Sequence, residues 1–84
     1  MTTQPEKLVT MVNQIARAFA HEGAEQAVAS TRDHLVKFWP PIMRRDIHAY
    51  LVQGGDKLSP LARRAVEGLP ATAWPEGEER PTGG

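Results

Sequence analysis

Pro40-Pro41, near the middle of an 84-residue chain, limits what the protein can build. Neither proline has an amide hydrogen to give to a helix, and each disfavours helical geometry in the residue before it. No helix can run through this point, and Trp39 and Pro40 are expected to be extended. Gly23, Gly54-Gly55 and Gly68 cut the rest of the chain. Between these breaks apolar residues recur at three- and four-residue spacing, the period of a helix face. The expected fold is all-α, a small bundle of three to four short helices in residues 1–69, followed by an irregular C-terminal tail in residues 70–84.

Thr3-Gln4-Pro5-Glu6 has the spacing of a capping box at a helix start. Leu8, Val12, Ile15 and Phe19 follow on one face, with Thr10 and Arg17 pointing away and Gly23 ending the helix. The second helix is expected from Ala24 to Phe38, with Ala24, Val28, Thr31, Leu35 and Phe38 inside and Gln26, Asp33 and Lys37 outside. The third runs from Pro41 to Gln53 and carries two apolar stripes. Met43, Ile47 and Tyr50, with Leu51 at the edge, form one; Ile42, Ala49 and Val52, interrupted by Arg45, lie nearly opposite. A helix on the outside of a small bundle needs one such stripe, so the second implies cover from another chain. Leu58-Ser59-Pro60 places a capping serine and a first-turn proline before a short helix carrying Leu61, Ala62, Ala65 and Val66 and ending at Gly68.

Charge separates the two parts. The whole chain is formally neutral. Glu76, Glu78 and Glu79 against Arg80 make the tail minus two, which leaves the helical part plus two. Its prolines and glycines cannot build a core, and Trp74 stands among them as either an idle ring or an anchor on something else. A neutral chain argues against a dedicated nucleic-acid or membrane-surface binder. The first residues have neither the basic start nor the apolar stretch of a secretion signal, so a cytoplasmic location is expected. With no cysteine, the chain holds no thiolate-ligated cluster and performs no thiol chemistry.

His21, His34 and His48 never pair at the spacing that puts two ligands on one helix face, and no nucleophile and base, or pair of carboxylates, cluster in the sequence. No catalytic, cofactor-binding or metal-binding residue is therefore assigned. Arg32, Lys37, Arg44, Arg45, Lys57, Arg63 and Arg64 outnumber Asp33, Asp46 and Asp56 by four between positions 32 and 64. That excess could face nucleic acid, making a small helical nucleic-acid-binding module the alternative reading, or it could face an acidic protein surface. For Arg63, plain solvation is the simpler reading. Trp39 is open to two readings, core or interface, because the double proline sets its backbone and not its direction. Tryptophan and arginine dominate protein interfaces, so the expected partner-binding residues are Trp39, Ile42, Arg44, Arg45 and Val52, with Trp74 from the tail.

Three segments carry a likeness to a known family: Lys7-Leu8-Val9-Thr10-Met11-Val12-Asn13-Gln14-Ile15-Ala16, then His34-Leu35-Val36-Lys37-Phe38-Trp39-Pro40-Pro41-Ile42-Met43-Arg44, then Leu58-Ser59-Pro60-Leu61 with the helix after it. In this order the chain resembles the delta subunit of molybdenum-containing, NAD-dependent formate dehydrogenases. The likeness spans most of residues 7–69 and leaves the tail out. It implies a non-catalytic accessory chain that binds the catalytic alpha subunit, the holder of the molybdenum cofactor, and supports its assembly, stability or cofactor maturation. It implies no cofactor on this chain itself.

Overall fold

The computed structural model describes residues 5–70, and four α-helices make up most of them. The helix α1 spans Pro5–Phe19, α2 Ala24–Phe38, α3 Pro41–Val52 and α4 Pro60–Glu67. Among the described residues there is no strand. Thr3, the expected capping threonine, and the whole tail beyond Pro70 lie outside them.

The breaks fall where the residue types require. After Phe19 the helix tightens into a 3₁₀ turn, Ala20–Glu22, so Gly23 closes this turn rather than α1 itself. Gly23 has φ +94°, which a side chain would strain. Trp39 is extended, with φ −87° and ψ 138°, and its amide still donates to Leu35 O at 3.0 Å. Pro40 is extended too, and Pro41 opens α3 at a position that needs no amide hydrogen. Ser59 caps α4, its Oγ accepting the Ala62 amide at 3.2 Å.

Each helix supplies one face to a common core of Leu8, Val12, Leu35, Trp39, Ile47 and Val66, with smaller residues between them. Helix α1 packs against the other three, and α2 also packs against α4. Most expected inner positions are inside. Two on α2 are not: Ala24 is exposed, and Phe38 is 69% exposed. The reason lies at the end of the helix. Once the prolines pull the chain off the helical path at Trp39, that residue swings its ring inward and is only 6% exposed. Trp39 fills the space that helical periodicity assigns to Phe38.

Candidate docking surface

The corner between α2 and α3 is built from backbone constraint, then locked by one side chain. Pro40 O accepts the amides of Met43 at 3.0 Å and Arg44 at 3.2 Å, which starts α3. From the first turn of α3, Arg44 reaches back and donates through Nη1 to Val36 O at 2.8 Å. This bridges the last turn of α2 and satisfies a carbonyl that the helix itself leaves free. Arg44 is 8% exposed, so it braces the corner from beneath.

Of the sequence-derived partner-binding residues, the structure therefore turns two inward. Trp39 belongs to the core, and Arg44 to the buried brace; neither offers its side chain as a free knob. Ile42 is 43% exposed and Val52 72% exposed, as the second stripe requires. Arg45 lies half-buried between them, 3.9 Å from Asp46 Oδ1. Trp74 lies outside the described residues.

Ile42, Arg45, Ala49 and Val52 are spaced three, four and three residues apart, on the side of α3 opposite Met43, Ile47 and Tyr50. Such spacing is that of a seam along which a second helix can lie, and the small side chain of Ala49 at its middle permits close approach. Phe38, the residue that periodicity misplaced, is exposed at the end of α2, just before the corner. Its ring lies 4.8 Å from that of His34, whose other neighbour is Phe19 at 6.4 Å, edge-on.

Most of the basic residues are committed elsewhere. Arg63 Nη2 donates to Gly54 O at 3.0 Å and Gly55 O at 2.9 Å, so it clamps the loop after α3 rather than sitting solvated. Arg32 donates to Ala65 O and Arg64 O, closing the end of α4. Arg64 pairs with Glu25 at 2.9 Å. The local excess of cations is spent largely on carbonyls and carboxylates, Lys37 pairing with Asp33 as Arg64 does with Glu25, which leaves no continuous row of free guanidinium groups for phosphates among the described residues.

A cleft of about 380 Å³ lies on the surface where α1 meets the start of α4, lined in part by Asn13, Arg17, Ser59 and Leu61. No carboxylate or histidine lines it. Among the described residues no group of three or more histidines and carboxylates is placed to hold a metal ion, and no helix is long and apolar enough to cross a membrane.

The chain matches the family described as the NADH-dependent formate dehydrogenase delta subunit, FdsD, over residues 7–66. That is well over half its length. The protein belongs to this family. The matched span runs from the first turn of α1 almost to the end of α4, so it contains the corner, the outer face of α3 and the clamped loop. No curated protein and no solved structure matches the chain significantly.

Proposed function

We propose that this delta-subunit family member is a non-catalytic accessory chain that binds the catalytic subunit of an NADH-dependent formate dehydrogenase in the cytoplasm. There it supports the assembly, stability or cofactor maturation of that subunit. Family membership supplies the enzyme, and the outer face of α3 supplies the means of attachment. The observation that carries the reading is the pair Ile42 and Val52, apolar and exposed on a helix whose opposite face packs on the core. Exposed apolar side chains aligned along one helix are what a partner helix covers.

In this reading residues 1–69 form the docking domain. Ile42, Ala49 and Val52 make the contact, joined by Phe38 at the corner and by the aliphatic stem of Arg45. Trp39 and Arg44 contribute by holding the corner in shape. Trp74, from the tail, is a second anchor on the same partner. The test is co-expression of the tagged chain with the catalytic subunit, followed by affinity capture and measurement of formate oxidation and molybdenum content. We expect the two chains to elute together, and omission of the small chain to lower the yield or the metal loading of the enzyme. Separate elution, with a fully loaded enzyme made in its absence, would refute the reading.

A further inference from the structure

Arg17 stands at the cleft between α1 and the start of α4, exposed and with no hydrogen bond or ion pair among the described residues. The walls beside it are apolar, Ala16 and Ala20 from α1 facing Pro60 and Leu61 from α4. The polar groups at the other end are already taken up, Asn13 by Ser59 and Lys57, and the Ser59 hydroxyl by the Ala62 amide. What the cleft leaves unmet is apolar surface and one positive charge. Helix α4 adds to that charge, since it starts here and has no acidic residue in its first turn.

The occupant that fits is a large apolar side chain with carboxylates close by. The chain carries this pattern outside the described residues, in Trp74 followed by Glu76, Glu78 and Glu79. Its length permits the return. Leu69 is buried and its amide donates to Val66 O at 3.1 Å, so the chain leaves the bundle from a fixed point at the end of α4. From there back to Pro60 is about 14 Å at the rise of a helix. Trp74 follows Leu69 by five residues, which reach about 17 Å when extended. It is the first large apolar residue after Leu69, and the glutamates beyond it have the reach to meet Arg17 on α1. A tail of minus two would thereby lie on a helical part of plus two.

We propose that in the free chain the C-terminal tail folds back along α4 and seats Trp74 in the cleft between α1 and α4, with its glutamates against Arg17. The accessory-subunit reading gives this ring to the partner; here the ring covers the cleft of its own chain until the partner takes it. The proposal therefore goes beyond that reading and does not depend on it.

The full chain, alone in solution, provides the test. It has no cysteine, so a pair introduced at chosen positions reports only on their encounter. Ala20→Cys with Gly77→Cys joins the cleft to the tail, and Val52→Cys with Gly77→Cys is the reference pair on the outer face of α3. Ala20 and Val52 are both exposed, so neither cysteine disturbs the core. Under mild oxidation we expect the first pair to close its intrachain disulfide at least about tenfold faster than the second. Trp74→Ala or Arg17→Glu should remove most of that advantage. Equal rates for the two pairs would overturn the proposal. So would an advantage that survives either substitution, or a disulfide formed between chains, which would make the occupant the tail of a second copy. Capture of the catalytic subunit decides the accessory-subunit reading separately, so the failure of one is not the failure of the other.

Discussion

Asn13 Oδ1 accepts the backbone amide of Ser59 at 2.9 Å, joining residues 46 positions apart. The same amide side chain donates through Nδ2 to Lys57 O, also at 2.9 Å, so Asn13 holds two points of the loop that leads into α4. Tyr50 adds a third tie from α3, its hydroxyl donating to Asp56 O. Lys57, between these ties, has φ +73°, a strained conformation for a residue with a side chain, and the bonds to both of its flanks hold it there.

Removing Asn13 should therefore loosen α4 from α1. Asn13→Ala loses both bonds and leaves the part-buried Ser59 amide without an acceptor, a cost of about 2 kcal/mol. For a domain of this size that lowers the melting temperature by roughly 8–16 °C. Asn13→Asp keeps the acceptor for Ser59 and loses the donor for Lys57, so its melting temperature should fall between the two. Thermal unfolding followed by circular dichroism decides this, and equal melting for all three chains would count against the tie.

The exchange of places between Phe38 and Trp39 has an equally direct consequence. Trp39→Ala empties a core site and should cost about 3–5 kcal/mol, enough to unfold a large fraction of a small domain. Phe38→Ala removes an exposed ring, and its effect on stability should stay within about 0.5 kcal/mol. Urea unfolding of the two variants would show the order reversed if Phe38, rather than Trp39, were the core residue.

Arg32 and Gly68 should behave as one unit. A methyl group on Gly68 would sit 2.1 Å from Arg32 Nη2, so Gly68→Ala must expel the guanidinium from the end of α4. The expected cost of either Gly68→Ala or Arg32→Met is about 1–2 kcal/mol, the loss of bonds from a charged donor to Ala65 O and Arg64 O. With Arg32 already replaced, the glycine substitution should add little. A double-mutant cycle measured by denaturant unfolding tests this non-additivity, and simple additivity would mean that the guanidinium and the glycine do not compete for the same space.

The proposed docking on the outer face of α3 predicts that substitutions there separate binding from folding. Ile42→Asp and Val52→Asp place charges on exposed positions, and each should change stability by no more than about 0.5 kcal/mol. Their combination should release the chain from the catalytic subunit in co-purification. Retained capture by a folded double variant would move the interface off α3.

Much of the fold was legible in the residues themselves. Pro40-Pro41, Gly23, Ser59-Pro60 and Gly68 act on the backbone within a residue or two of where they stand, and they placed the helix ends to within a few residues. The stripe of Met43, Ile47 and Tyr50 and its exposed opposite followed from periodicity alone, because both faces belong to one rigid helix. Tertiary structure decided the rest. Which ring enters the core at the corner depends on how the chain leaves α2, and periodicity ends where the helix does. The duties of Asn13, Arg32, Arg44 and Arg63 depend on carbonyls contributed by other segments of the chain, and side-chain type alone does not show which carbonyls folding leaves without a helical partner. The apolar pattern was sufficient to determine four short helices, whereas the meeting of long polar side chains with free backbone ends, set only when those helices pack, determined what holds them in place and which surface remains for a partner.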